Sequence, residues 1–253
     1  MQEKPAKLAG RTALITGGAK RLGREIALAL AGRGMNIVLH YHTSGADAAE
    51  LAQRISRIGV KAHIVAGDLA DLSRTDELMN RAIKAAGKID VLINNAAIYG
   101  TDQFYDLLPQ DLEISLRVNA LSPLLLARIF AAQARGAAGG NIINLLDCRI
   151  RDYDRGHVSY SLSKKLLSYL TEMMAVEFAP EVRVNGVAPG IILPEPGKGS
   201  EYIEKLKLSN PLKKWGSVDD VTRTVLFLLE SDFITGQVIF IDGGRSLMGS
   251  RNG

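Results

Sequence analysis

Tyr160 and Lys164 stand four residues apart in Tyr160-Ser161-Leu162-Ser163-Lys164. That spacing is one helical turn, so both side chains leave the same helix face. An ammonium group beside a phenol favours the phenolate and draws its pKa down from about 10, which makes the pair a proton donor and acceptor near neutral pH. The same spacing also describes many solvated helix faces, so by itself it leaves both readings open. A second candidate is Leu14-Ile15-Thr16-Gly17-Gly18-Ala19-Lys20-Arg21-Leu22-Gly23, where an apolar run passes through a glycine turn into an amphipathic segment. Glycine lets backbone approach a phosphate closely, and the open amides at a helix start favour an anion, so Gly17, Leu22 and Gly23 are candidates to hold a pyrophosphate. The single cysteine, Cys148, excludes an intramolecular disulfide and a cysteine metal cage, and reads as a small buried hydrophobe. No metal site is expected.

These groups need a scaffold, and the apolar pattern supplies one. Strand-like runs cover Thr12 to Thr16, Ile37 to Tyr41, Ala62 to Ala66, Val91 to Asn94, Asn141 to Leu146, Arg183 to Val187 and Val238 to Ile241. Segments of helical period fall between them, including Arg21 to Arg33, Ala46 to Ile58, Arg74 to Ala86 and Lys164 to Phe178. Alternation with crossovers of that length predicts an α/β fold: a doubly wound, mostly parallel seven-stranded sheet of Rossmann type with helices on both faces, in one domain over residues 1–253. The segment 191–210, rich in Pro and Gly, interrupts the alternation after a strand and reads as a substrate lid or an ordinary surface loop.

Composition narrows the function classes. The chain has 253 residues, 47% of them hydrophobic, and a net charge of +4 with basic and acidic residues interspersed. No basic stripe for nucleic acid is present, the polar start does not form a secretory signal, and no run reaches the roughly 18 apolar residues of a membrane span. A small-molecule substrate, no nucleic acid, no membrane and a cytoplasmic location are expected.

The glycine turn occurs together with Asn94-Asn95-Ala96-Ala97, Val118-Asn119-Ala120, Tyr160-x-x-x-Lys164, Pro189-Gly190 and Asp242-Gly243-Gly244. This set resembles the short-chain dehydrogenase/reductase family over essentially the whole chain. The resemblance implies that Lys164 also holds the nicotinamide ribose, that Asn119 supports a proton-relay water, and that Asn95, Ala96, Pro189 and Gly190 flank the cofactor. Asp68 falls where the family contacts adenine, and it also suits a turn cap. Arg21 replaces the family's middle glycine, and no carboxylate ends the second strand, Val38-Leu39-His40-Tyr41-His42-Thr43-Ser44. A guanidinium suits the adenosine 2′-phosphate, so NADP(H) is expected over NAD(H). His40, His42 and Ser44 are further phosphate contacts or strand-end residues without such a role.

Asp147 stands where the family places a serine that donates to a substrate carbonyl. An ionised carboxylate cannot donate and repels a developing alkoxide, so a nitrogen-rich heterocycle with N–H donors fits better than a ketone, unless Asp147 only caps a loop. With Arg21 and the His40 segment, Asp147 is similar to the pteridine reductases and their bacterial dihydromonapterin and dihydrofolate reductase relatives. That resemblance implies reduction of a pterin, dihydropterin or dihydrofolate, an aromatic stack from Tyr99 against the substrate, and a homotetramer. Ala97 departs from it, since the best-known pteridine reductases carry serine there. The alternatives are an NADPH-dependent carbonyl reductase, acting on 3-oxoacyl thioesters or other ketones, and a cofactor-binding protein without turnover.

Overall fold

Strand residues of this chain divide by parity, and each set meets its own layer of helices. The computed structural model describes residues 8–136, 139–193, 204, 207 and 209–248. Among them, β1 (Thr12–Ile15), β2 (Asn36–Tyr41), β3 (Ala62–Ala66), β4 (Val91–Asn94), β5 (Gly140–Leu145), β6 (Val182–Pro189) and β7 (Val238–Ile241) form one sheet in the order β3-β2-β1-β4-β5-β6-β7. Every neighbouring pair is parallel. Successive strand side chains point to opposite faces. Leu14, Val38 and Leu92 therefore pack with Phe130, Leu167 and Met174 on one side, while Ile15, Ile37 and Ile93 pack with Ile26, Leu30 and Val225 on the other.

The helices are α1 (Arg21–Ala31), α2 (Gly45–Ile58), α3 (Thr75–Ala86), α4 (Pro109–Leu116), α5 (Ser122–Ala134), α6 (Val158–Glu177) and α7 (Val218–Glu230). The amphipathic helix α1 buries Ile26, Ala27, Leu30 and Ala31, one stripe at helical spacing. Helix α7 opens on a capping box: Asp220 N donates to Ser217 Oγ at 3.1 Å, and Ser217 N donates to Asp220 Oδ2 at 2.8 Å.

Three expectations need correction. The helix carrying the Tyr-Lys pair begins at Val158 rather than Lys164, because Ser159 N donates to the carboxylate of Asp102 from a distant loop. Strand β6 runs on to Pro189, since its pairing with β7 continues through Pro189↔Ile241. The continuous helical stretch Pro109–Ala134 is long and apolar enough to cross a membrane, yet half of its apolar window is buried within the fold. Its apolar residues, Leu126 and Phe130 among them, cover the sheet. The expected lid at 191–210 falls mostly outside the described residues.

Beneath the carboxyl ends of β4 and β5 a buried polar chain ties sheet to helix. Asn94 Nδ2 donates to Asn144 Oδ1 at 2.8 Å, Asn144 Nδ2 to Thr171 Oγ1 at 2.9 Å, and Thr171 Oγ1 to Leu167 O at 2.8 Å. All three side chains are buried, so breaking the middle link strands partners away from water. Asn144→Leu is expected to lower stability by about 2–3 kcal/mol, measured by urea unfolding; a loss under about 0.5 kcal/mol would show that the chain contributes no stability.

Candidate active site

The cleft lies at the carboxyl ends of the strands, where β1 and β4 diverge and open α/β sheets receive ligands. Its volume is about 690 Å³. At one end, the turn after β1 leads into α1. Gly17 has φ +60°, and a Cβ added at Gly23 would lie 2.4 Å from Gly17 O and 2.6 Å from Asn95 Nδ2. Asn95 closes this corner by donating from Nδ2 to Thr16 O at 2.9 Å and to Gly17 O at 3.1 Å. Thr16 Oγ1 accepts the amides of Asn95 and Ala96 at 3.0 and 3.1 Å. Arg21 adopts φ +50°, a left-handed conformation that glycine takes freely and a side-chain residue takes at a cost. The position therefore suits the glycine that Arg21 replaces, and the guanidinium is retained despite that backbone.

The glycine turn also corrects the role expected for His40. Gly17 N donates to His40 Nδ1 at 3.2 Å, His40 Nε2 bonds Gly67 O at 3.1 Å, and Gly18 N donates to His40 O at 3.0 Å. With Nδ1 accepting, Nε2 carries the proton. The ring is 2% exposed, and burial pushes its pKa down to about 4. His40 is thus a neutral strut that shapes the turn, not a phosphate contact. The Gly17 and Gly18 amides are thus engaged by His40, whereas amides in the first turn of a helix such as α1 lack an acceptor one turn back.

His42, Ser44 and Asp68 do not line the cleft, although they lie at its β2–β3 border. His42 Nε2 is 3.9 Å from Asp68 Oδ2, and Asp68 Oδ1 accepts Ala70 N at 2.9 Å, a turn cap. Lys20, which the sequence reading passed over, lines the cleft and pairs with Asp47 Oδ2 at 3.0 Å in the first turn of α2. It brings an ammonium to the end of β2, beside Ser44.

After β5, on the cleft wall, Tyr160 Oη donates to Asp147 Oδ2 at 3.0 Å while Arg149 N donates to Asp147 Oδ1 at 2.8 Å. Asp147 therefore caps the short helical turn Cys148–Arg151 through one oxygen and accepts the Tyr160 hydroxyl through the other. Lys164 Nζ is buried, donates to Leu145 O at 2.6 Å and lies 5.8 Å from the Tyr160 ring centroid. Burial lowers its pKa to about 8, opposed by the Asp147 charge. The expected lowering of the phenol is overturned. Burial first, then the charge of Asp147 and its hydrogen bond, raise Tyr160 well above 10, so it stays a protonated donor. Cys148 is buried, with its thiol pushed up by burial, and is unsuited to nucleophilic work.

Tyr99 lines the cleft, stacked on His157 at 4.0 Å between centroids and edge-on to Tyr160 at 4.7 Å. His157 Nδ1 donates to Gly100 O at 2.8 Å, and Asp102 N donates to Gly156 O at 3.0 Å, which pins the loop after β4 to the start of α6. Asn119, fully buried in a π-helical turn (Arg117–Leu121), accepts Ile98 N at 2.9 Å and donates to Ile98 O at 3.0 Å and Ser163 Oγ at 2.9 Å. Both its amide hydrogens are thus engaged, and its side chain anchors the loop that presents Tyr99. Asp102 and His157 carry no local motif, which is why sequence reading missed them. Pro189 and Gly190 line the opposite wall; a Cβ on Gly190 would lie 2.9 Å from Asp242 Cα.

A family model described as Enoyl-(Acyl carrier protein) reductase matches residues 17–246. A short-chain type dehydrogenase/reductase of Picea abies is 31% identical over 254 residues, covering 94% of this chain and 93% of that protein. The chain belongs to the short-chain dehydrogenase/reductase family. As a member it is an oxidoreductase on a Rossmann-type fold. Carbonyl reductase [NADPH] 2 of Sus scrofa is 32% identical over 243 residues, covering 93% of this chain and 96% of its own. Among solved structures, FolM alternative dihydrofolate reductase 1 from Brucella suis, in complex with NADP, superposes with a TM-score of 0.90 at 31% identity, covering 95% of this chain and 96% of that one.

The strut beneath the glycine turn makes a stability prediction. The folded pKa of His40, about 4, lies below the ordinary imidazole value of 6.5, so the folded state binds fewer protons and its stability falls as pH falls from 6.5 towards 4. At 1.36 kcal/mol per unit, His40 alone accounts for about 3 kcal/mol of acid loss. His40→Asn, which keeps an acceptor near Nδ1, is expected to flatten the urea-unfolding profile across that window; an unchanged slope would show that His40 does not couple folding to pH.

Proposed function

We propose that this enzyme uses NADPH to reduce a pterin, dihydropterin or dihydrofolate. The observation that carries the reading is Asp147: at the reacting centre an acceptor oxygen stands beside a protonated phenol. A ketone oxygen gains nothing from a carboxylate, whereas the ring N–H and amino groups of a pterin can donate to it. Supporting the reading, the solved neighbour named above is called a dihydrofolate reductase and binds NADP.

The glycine cradle, which a Cβ at Gly23 would fill, and the cations Lys20 and Arg21 fit a phosphorylated dinucleotide. Gly17, Leu22, Gly23, Asn95, Ala96, Pro189 and Gly190 would frame it, with Arg21 and Lys20 meeting phosphate, His42 and Ser44 at the ribose border and Asp68 towards the adenine. Bound there, NADPH supplies a hydride. Lys164 would hold the nicotinamide ribose and would keep a positive charge near the phenol. Tyr99, steadied by His157, offers a ring for the heterocycle to stack on. Asp147 orients the substrate through its N–H donors. The Tyr160–Asp147 pair would give a proton to the nitrogen of a C=N bond whose carbon is reduced, giving C–H and N–H, and solvent would restore that proton. Asn119, whose side chain is engaged, would act by fixing the loop that presents Tyr99.

The second reading is an NADPH-dependent carbonyl reductase, favoured by the raised Tyr160 phenol, which can donate directly to a carbonyl oxygen, and by relatives with that activity in their names. NADPH oxidation followed with dihydrobiopterin, dihydromonapterin and dihydrofolate against a 3-oxoacyl thioester separates the two. Turnover of a pterin alone, abolished in Asp147→Ala while NADPH binding persists, is expected; thioester turnover without pterin turnover would overturn the reading.

We also propose a homotetramer. On α6, Leu162, Tyr169, Met173 and Val176 are exposed at spacings of seven, four and three residues, a continuous apolar stripe that suits a second copy of the chain. Light scattering is expected to give four times the 27.3 kDa chain mass; a monomer mass would remove the proposal.

A further inference from the structure

Two helices of this chain open on the same four-residue pattern, and only one of them uses it to cap itself. Helix α7 begins Ser217-Val218-Asp219-Asp220, where the reciprocal bonds of Ser217 and Asp220 close a capping box. Helix α2 begins Ser44-Gly45-Ala46-Asp47, with Ser and Asp at the same two positions. There the box is open. Ser44 makes no side-chain capping bond, and its ψ of 49° departs from the extended backbone of Ser217, whose ψ is 160°. The Asp47 carboxylate turns instead to the glycine turn, where its Oδ2 lies 3.0 Å from Lys20 Nζ.

Lys20 is the residue before α1 and lines the cofactor end of the cleft. It is also the ammonium proposed above to meet phosphate, so one cation has two claimants. Both partners are about half exposed, 55% for Lys20 and 43% for Asp47. An ion pair so open to water is worth at most about fivefold in an equilibrium constant. A doubly charged phosphate can displace such a carboxylate, and the displacement still registers in binding. The displaced carboxylate also has somewhere to go. Three residues back stands the open box at Ser44, and Asp220 shows that this pattern closes in this chain.

We propose that Asp47 is a specificity-determining residue for the cofactor. It holds Lys20 in the empty enzyme, competes with the 2′-phosphate of NADPH for it, and passes to the Ser44 cap when phosphate takes its place. The preference for NADPH over NADH is therefore smaller than Lys20 alone would give. NADH carries a hydroxyl in place of that phosphate, leaves the Lys20–Asp47 pair intact, and gains nothing from its loss. The inference rests on the cofactor reading of the glycine turn and is independent of the substrate reduced.

The test is the ratio of Kd for NADH to Kd for NADPH, titrated by cofactor fluorescence at low ionic strength, in wild type, Asp47→Asn, Lys20→Met and the double variant. Asparagine keeps an oxygen able to close the cap and removes the charge that competes for Lys20. Asp47→Asn is expected to raise the ratio about three- to fivefold by tightening NADPH alone, the size of a lost exposed pair. Most of that gain is expected to disappear in the Lys20→Met background. A ratio that stays at its wild-type value overturns the competition, and so does a fall, which would make Asp47 a support for Lys20. A gain that survives whole without Lys20 also overturns it, because Asp47 would then act on the phosphate by its own charge. A wild-type ratio near one that remains near one in Asp47→Asn sinks the NADPH reading together with the proposal, whereas an unchanged wild-type preference for NADPH leaves the cofactor reading standing.

Discussion

The hydrogen bond from the Tyr160 hydroxyl to Asp147 joins two elements that the fold holds rigid for other reasons, and the chemistry of the cleft follows from it. Asp147 is locked by the Arg149 amide at the end of β5. Tyr160 is locked by α6, whose start is capped from the β4 loop by Asp102 and whose body is tied to β4 and β5 through Thr171, Asn144 and Asn94. Tyr160 is buried while Asp147 faces the cleft, so the phenol proton points to the cleft wall. A buried phenol next to a carboxylate resists ionisation, which makes Tyr160 a donor until a ligand changes its surroundings.

The same economy governs the other end of the cleft. His40 gives up its charge to brace the glycine turn, and the turn gives up two amides to His40. The cations at that end are Lys20 and Arg21, side chains that line the cleft. The strained Arg21 backbone is the local cost of placing a guanidinium where glycine fits more easily.

Much of this was legible in the sequence because it is periodic or contiguous. Alternating apolar runs gave all seven strands to within a few residues, and the glycine turn, Tyr160, Lys164 and Asp147 were read directly as chemistry. What escaped depends on contacts between segments. The burial of His40 requires knowing that β2 is covered on both faces. The raised Tyr160 phenol depends on Asp147, thirteen positions away by number and on another element. Asp102 and His157 join a loop to a helix start more than fifty residues on, with no local pattern to mark them. Asn119 was recognised as a motif, but its side chain proved to hold the Tyr99 loop.

The central claim, that Asp147 selects a substrate with N–H donors, is tested most directly by a crystal structure with NADP and an oxidised pterin bound together. The account predicts the pterin ring against Tyr99, with a ring N–H or amino group within hydrogen-bond distance of Asp147 and Tyr160 close to the nitrogen that gains a proton. A pterin bound outside the cleft, or seated with only carbonyl oxygens facing Asp147, would contradict it.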